Sequence, residues 1–473
     1  MAGQERLRIG VIGAGIGGTS CARFCRDHFG ESAEIHVFEQ LQRVGGRVAL
    51  IEVDGRKFEA GGSIIHGKNK YMVDFAKELD IKRAPSNDSS VAIFDGDSFV
   101  FEESKFTLVT LFRLIRRYGL DMFRLKSWVN GFLSKFERVY QLQSEEKAFT
   151  TPLKLLQALD SRFPGMVHET LRSRLEKDGF GKKFIDEFCM GVCRVNYGQN
   201  TNIGAFVGSV SLAGAGADLF ALEGGNCRVM EGLVKTCGAT LHEGVLVERV
   251  VGRGETGYTL HARSIEDGSS FESEFDIVFL ACPMMLNSRQ SSPIKFENLD
   301  NSRSEKDISR KYHRTVATFI QGKLRNPFEK SATAPKEHQP DAIFTCSDSL
   351  FYNSIGGYPS TEEDNRKDAE PIWKVFSKLP LEENQVEAIF PGTKTWQARD
   401  WMAYPSYESE VDKKEASSFC IDGKNFFYVN AIESTASAME MSAIGAMNCV
   451  LLAKNKRNGN IENIDKFSHH SKL

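Results

Sequence analysis

The stretch from Leu7 to Glu39 constrains the fold more than any other part of the chain. Leu7 to Ile12 is an apolar run of strand length, Gly13, Gly15 and Gly18 follow at once as G-x-G-x-x-G, and Cys21, Ala22 and Phe24 then mark an apolar helix face. A second strand pattern, Glu34 to Glu39, ends on an acid roughly 20 positions further on. Each part has a physical task. Gly13 makes the tight turn, Gly15 lets a pyrophosphate approach the helix N-terminus, Gly18 allows helix and strand to pack closely, and Glu39 accepts from ribose hydroxyls. Strand, glycine turn, helix, strand and acid in that order predict a Rossmann-type unit that binds a dinucleotide. Glu39 would repel a 2′-phosphate, which argues against NADP.

Later residues separate FAD from NAD. Val44-Gly45-Gly46-Arg47 and Glu59-Ala60-Gly61-Gly62-Ser63 offer further close backbone approaches soon after the acid, as a cofactor longer than NAD requires. Arg47 either pairs with a phosphate or is a solvated side chain. Ser437-Ala438-Met439 opens a helix whose N-terminus suits the negative charge of reduced flavin. No second G-x-G-x-x-G follows a strand, since Gly214-Ala215-Gly216 lacks the third glycine. Without a nicotinamide site the pattern favours a flavin oxidase that returns electrons to oxygen.

The expected fold class is α/β: a Rossmann-type FAD-binding domain of the glutathione reductase or amine oxidase kind, with a second α+β substrate domain. The FAD-binding domain is expected to be discontinuous, from residues 1–85, 221–285 and 415–460. Residues 86–220, largely helical, and 286–414, mixed, would form the substrate domain, with 461–473 as a peripheral tail. Between Phe106 and Phe136 a helical tract broken near Tyr118-Gly119 interleaves Leu108, Leu111, Phe112, Ile115 and Phe123 with Arg113, Arg116, Arg117, Arg124 and Lys126. It reads either as an amphipathic face for peripheral membrane contact or as a helix pair packed between domains.

Composition closes off other classes. The 41% hydrophobic content excludes disorder, and a net charge of -3 gives no reason to expect nucleic acid. No uncharged apolar run reaches the ~18 residues a spanning helix needs. Ten scattered cysteines without a C-x-x-C pair or a nearby histidine read as buried thiols, so no metal is expected. Asn87-Asp88-Ser89 is a single glycosylation sequon. The opening Met1-Ala2-Gly3-Gln4-Glu5-Arg6 has no charged region leading into an apolar one, which reads as a cytosolic or shortened chain.

Several segments together resemble the prenylcysteine oxidases, called farnesylcysteine lyases in plants. They are Gly13 to Ser20, Val44 to Arg47, Phe58 to His66, Arg194 to Gln199 and Leu222 to Asn226. Trp373 to Ser377, Trp401 to Pro405 and Ile432 to Ile444 extend the likeness, which runs from about Arg8 to the C-terminus. Arg194-Val195-Asn196-Tyr197-Gly198-Gln199 and Ala436 to Ile444 point most narrowly to this family.

The resemblance implies an FAD-dependent thioether oxidase that cleaves farnesyl- or geranylgeranyl-cysteine into cysteine, a prenyl aldehyde and hydrogen peroxide. Its partners would be that lipophilic small molecule and molecular oxygen. By the same likeness Gly13, Gly15, Gly18, Glu39, Gly46 and Arg47 would hold the ADP portion, Val247 would sit where related flavoproteins bond the adenine, Glu433 and Met439 would approach the ribityl chain and ring, and Gly62 would also bind the cofactor. His66 would adjoin the reactive face, or only bond locally; Arg194, Asn196, Tyr197 and Tyr404 would meet substrate, with a structural ion pair the alternative for Arg194. Part of the 34 Phe would line an isoprenoid site. The family implies a lysosome or vacuole, with the cytoplasm the alternative for a chain opening as this one does. Two rival readings remain at this point: an amine or other C–H oxidase on the same scaffold, and a non-catalytic prenyl carrier of the Rab escort or GDP-dissociation-inhibitor type.

Overall fold

The structure, a computed structural model, describes residues 6–85, 90–215, 218–287, 294–299, 304–325, 340–362, 370–408 and 418–467. The sequon at Asn87, Gly216 and most of the charged run from Ser360 to Glu370 lie outside the described residues.

The apolar strands of the first motif form the centre of a parallel sheet. Its order is Phe426–Tyr428, Ile277–Leu280, Arg8–Ile12, Glu34–Glu39 and Thr240–Glu243, so three distant stretches of chain build one sheet. Ile9, Val11, Val278 and Phe279 are fully buried, as expected of a parallel sheet covered on both faces. The helix Ile16–Phe29 covers it, with the C-terminal helix Met439–Asn458 packed alongside. Gly18 is where helix meets turn: a Cβ there would lie 1.8 Å from the Gly13 carbonyl oxygen, which no side chain can satisfy.

A four-stranded sheet, ordered Ser270–Phe275, Tyr258–Ser264, Val245–Gly252 and Lys295–Glu297, lies next in the chain. Lys295–Glu297 falls beyond the boundary expected at residue 285, because it pairs in parallel with Arg249–Val251. The third sheet has seven strands in the order Trp396–Pro405, Tyr312–Gln321, Ile372–Ser377, Tyr352–Gly357, Ala342–Thr345, Val91–Phe94 and Phe99–Glu102. It is antiparallel except where Val91–Phe94 meets Ala342–Thr345, so the largely helical stretch also lends two strands to the mixed sheet.

The tract from Phe106 to Phe136 is two helices, Thr107–Tyr118 and Asp121–Phe136, separated by Gly119 at φ +61°. Much of the phenylalanine is structural. The largest side chains under 2% exposed are all Phe, and Phe132, Phe163 and Phe206 meet with ring centroids 5.2 to 5.4 Å apart inside the helical region. Phe180, Phe184 and Phe188 continue as a stack. The expectation of an isoprenoid lining is therefore narrowed, because these rings fill the core by packing on one another. All ten cysteines are free thiols, seven of them buried.

Candidate active site

The glycine turn and the segment after Glu39 meet edge to edge. Gly13 N–H donates to Phe38 O at 2.7 Å, Gly45 N–H donates to Ala14 O at 2.8 Å, and Gly15 bridges Gly45. Gly13, Gly45 and Gly46 have φ of +101°, +109° and +56°, the left-handed region that glycine adopts without strain. Glu39 ties the corner: one carboxylate oxygen accepts from Ala14 N–H at 2.8 Å and the other from Leu41 N–H at 2.9 Å. Burial raises its pKa, which those two donors oppose. Arg43 clamps the loop by donating to Val44 O and Gly46 O.

The helix Ile16–Phe29 begins at Gly15 with extended backbone and no side-chain cap, so no side chain occupies its first N–H groups. A Cβ on Gly15 would find nothing nearer than 3.8 Å. That open cradle at an uncapped helix start fits a pyrophosphate, and Glu39 at the end of the next strand fits a ribose. Val247 lies buried on the strand Val245–Gly252, where the ladder to Tyr258–Ser264 is broken by a bulge between Val247 and Arg249.

The second glycine segment runs to the C-terminal helix. Gly62 N–H donates to Arg47 O at 3.0 Å, and a Cβ on Gly62 would lie 3.5 Å from Met439 Sδ. Met439 opens the helix Met439–Asn458, which again has no side-chain cap. Asn226 holds this segment from one side, its N–H donating to Glu59 Oε1 and its Nδ2 to Gly62 O at 2.9 Å. Lys374 holds it from the other, with Nζ donating to Glu59 O at 3.2 Å and Ser63 Oγ at 3.1 Å while lying 4.3 Å from the Tyr358 ring centroid. Burial pulls the Lys374 ammonium down to about 8 and pushes the Glu59 carboxyl up to about 7.

Arg47 and Glu433 differ from the sequence reading. Read separately from the sequence, the two form an ion pair with each other, because a carboxylate with 0% side-chain exposure needs a cation and donors. Glu433 also accepts from Tyr312 Oη at 2.7 Å and Asn430 Nδ2 at 2.8 Å, while Arg47 donates to Ala403 O at 2.8 Å.

Beside this pair stands a wall of tyrosines. Tyr197 Oη donates to Ser437 O at 2.9 Å, immediately before the C-terminal helix, and its ring meets Tyr404 edge-on at 5.0 Å and Tyr407 at 5.8 Å. Tyr407 Oη donates to Glu433 O at 3.0 Å, and Gln199 joins the wall through Pro405 O and Tyr407 N–H. Burial raises the pKa of all three tyrosines, so they remain neutral phenols.

Arg194 and Asn196 do not join the wall. Arg194 donates to Thr345 Oγ1 at 2.8 Å, Asp348 at 2.7 Å and Tyr352 O at 3.0 Å, clasping the helix Met190–Tyr197 to two strands of the mixed sheet. Asn196 Nδ2 donates to Ser211 O and Oγ, both at 3.1 Å. Their donors serve packing: Arg194 takes the structural ion-pair alternative with Asp348, and Asn196 is held by Ser211 instead of facing the tyrosines. His66 is also tied locally: Nδ1 accepts from Lys68 N–H at 2.9 Å, the Ala213 backbone is its other partner, and burial and then Lys68 lower its pKa. A general base contributes roughly 10²-fold or more. His66→Ala is expected to slow flavin reduction by no more than about twofold in stopped-flow measurements, and a loss of the size of a general base would restore the catalytic assignment.

Sequence reasoning missed Lys374, Asn226 and Tyr407. A lysine flanked by Trp373, Val375 and Phe376 was a usable signal, since a charge inside an apolar strand needs a reason. Asn226 lies inside the Leu222 to Asn226 segment of the family resemblance, but nothing in that segment says which residues it holds, and Tyr407, just past the strand Trp396–Pro405, carries no local mark.

Comparisons with known proteins identify the family and the fold. The prenylcysteine lyase family model matches residues 101–466, and an NAD(P)-binding Rossmann-like domain model matches residues 11–79. Prenylcysteine oxidase 1 of Bos taurus is 37% identical over 476 residues, covering 98% of this chain and 92% of the relative. The Homo sapiens protein of that name is 37% identical over 479 residues with the same coverage. The prenylcysteine oxidase 1-like protein of Mus musculus is 32% identical over 466 residues, or 97% and 92% of the two chains. Among solved structures, the cyclohexylamine oxidase of Brevibacterium oxydans superposes with TM-score 0.60 at 13% identity, covering 96% of this chain and 100% of that one. A triple mutant of putrescine oxidase gives 0.59 at 14%, covering 96% and 99%. These two confirm the expected α/β fold with its Rossmann-type domain and carry nothing about substrate.

Proposed function

The chain belongs to the prenylcysteine lyase family, and on that footing we propose that it is an FAD-dependent oxidase that cleaves farnesyl- or geranylgeranyl-cysteine to cysteine, a prenyl aldehyde and hydrogen peroxide. One observation carries the reading. The open cradle at Gly15 and the uncapped start of the C-terminal helix at Met439 are joined by one continuous line of glycine segments, and tyrosines flank the far end.

FAD held along that line would supply the hydride acceptor and the route for both electrons to oxygen. Gly13, Gly15, Gly18, Glu39 and Gly46 would hold its ADP portion, Val247 would adjoin the adenine, and Gly62 and Met439 would face the ring. The Arg47–Glu433 pair ties the segment after Gly46 to the segment before the C-terminal helix. Tyr197 and Tyr404 supply a neutral, apolar wall for a substrate without polar groups along its tail. The hydrogen that leaves sits on a carbon both allylic and next to sulfur, so the substrate stabilises its own cation twice. No strong base is demanded at that step, which suits a site whose nearby histidine is tied to backbone. Water adds to the cation, and the resulting hemithioacetal collapses to aldehyde and thiol. Oxygen is the electron acceptor in this reading, and peripheral contact with a membrane supplies the substrate. Kinship also motivates a lysosomal or vacuolar setting, to be checked by fractionating cells that express the full-length protein.

The deciding measurement is anaerobic mixing of the yellow protein with farnesylcysteine. Bleaching of the flavin, followed by one peroxide per aldehyde on readmission of air, is the expected result. Bleaching by a panel of amines but not by farnesylcysteine would reassign the chain as an amine oxidase. A folded sample with no flavin absorption would reassign it as a prenyl carrier.

A further inference from the structure

The helix Thr107–Tyr118 is mounted with an apolar face turned away from the protein. At 3.6 residues per turn, Thr110, Leu114, Arg117 and Tyr118 share one stripe, and these are the residues that pack inward. Leu108, Phe112 and Ile115 share the opposite stripe, exposed by 79%, 64% and 41%. Phe106 at the helix start is 71% exposed, and Leu120 and Phe123 past the Gly119 break are 65% and 50% exposed. Scattered apolar residues on a surface need no explanation, but a contiguous set this large does.

Charge says what covers the face. Lys105, Arg116 and Lys126 are exposed and make no ion pair among the described residues, and they lie in or beside the same two helices. Three unpaired cations in and beside the helices that carry a projecting apolar stripe complement anionic headgroups above acyl chains. The twelve-residue helix is about 18 Å long, shorter than the ~30 Å hydrocarbon core, so it lies in the interface and does not span it. No helix among the described residues is long and apolar enough to cross a membrane.

The same helix is wired towards the tyrosine wall. Arg117 pairs with Glu187 at 2.6 Å and the Tyr118 ring meets Phe184 at 5.6 Å. Glu187 and Phe184 belong to the continuous helical run that ends at Tyr197. We propose that the face formed by Phe106, Leu108, Phe112, Ile115, Leu120 and Phe123 docks on an anionic bilayer and so brings the tyrosine-walled site to a lipid-dissolved substrate. The proposal rests on the prenylcysteine reading for its purpose but not for its geometry, and the two fail separately.

The test is co-sedimentation of the flavin-loaded full chain with vesicles of phosphatidylcholine alone or mixed with phosphatidylserine. Binding to the mixed vesicles is expected, weakening at high salt as headgroup attraction is screened. Leu108→Ser together with Phe112→Ser should reduce that binding roughly 10-fold or more, while oxidation of detergent-dispersed farnesylcysteine stays unchanged. Equal sedimentation of parent and variant would overturn the proposal. So would a self-associated parent, in vesicle-free buffer, that the same substitutions dissociate, since a second copy would then cover the face. Vesicle binding without turnover of any prenylcysteine would leave the docking face standing and overturn the substrate.

Discussion

Gly15→Val is expected to give a folded, colourless protein. Gly15 has φ -73° and ψ -178°, a backbone open to any residue, and a Cβ there meets nothing within 3.8 Å. The apo fold therefore tolerates the substitution, with a change in stability within roughly 1 kcal/mol. The isopropyl group instead fills the space at the uncapped helix start where the pyrophosphate would lie. Loss of that approach should weaken FAD by at least about 10³-fold, or ~4 kcal/mol. Flavin absorbance after gel filtration reads the first effect, and urea unfolding of the apo-protein reads the second. A yellow, active variant would mean that the cradle has been misplaced.

Gly18 provides the contrast. Its Cβ would sit 1.8 Å from the Gly13 carbonyl oxygen, so a side chain there must move main chain. Two glycines of one motif thus separate cofactor loss from loss of fold, which a count of the motif's glycines would not do.

The Rossmann unit was legible because strand, turn and helix are local and each glycine answers a local steric demand. The break at Gly119 and the start of the C-terminal helix at Met439 were legible for the same reason. The polar clasps were not. Arg194 bonds Asp348 across 154 positions, Arg47 meets Glu433 across 386, and Lys374 reaches Glu59 across 315. No periodicity carries such pairings, so a buried arginine and a ligand-binding arginine look alike in sequence. The helix 107–118 shows the opposite case: its amphipathicity was plain, but which stripe faced inward depended on Thr110, Leu114 and Tyr118 finding partners elsewhere.

The Arg47–Glu433 pair gives the second large expectation, and it separates the two roles proposed for Arg47. If Arg47 served a phosphate, Arg47→Met would weaken flavin binding and leave the apo-protein as stable as its parent. The structure predicts otherwise. Arg47→Met leaves the Glu433 carboxylate buried with only Tyr312 and Asn430 as side-chain donors, and breaking a buried pair from one side costs about 3–5 kcal/mol. That loss should appear in urea unfolding of the apo-protein, where no cofactor contributes. Glu433→Gln should cost less, because Arg47 keeps Ala403 O and is 28% exposed, so water can reach it. Arg47→Met combined with Glu433→Gln removes both charges at once, and should recover much of what Arg47→Met loses. Coupling of that sign in the apo-protein identifies a structural pair; strictly additive losses, or losses seen only as weaker flavin, would return Arg47 to the cofactor. Because Gly62 N–H rests on Arg47 O, the destabilised variants should also hold FAD less tightly, with the apo-state defect as the cause.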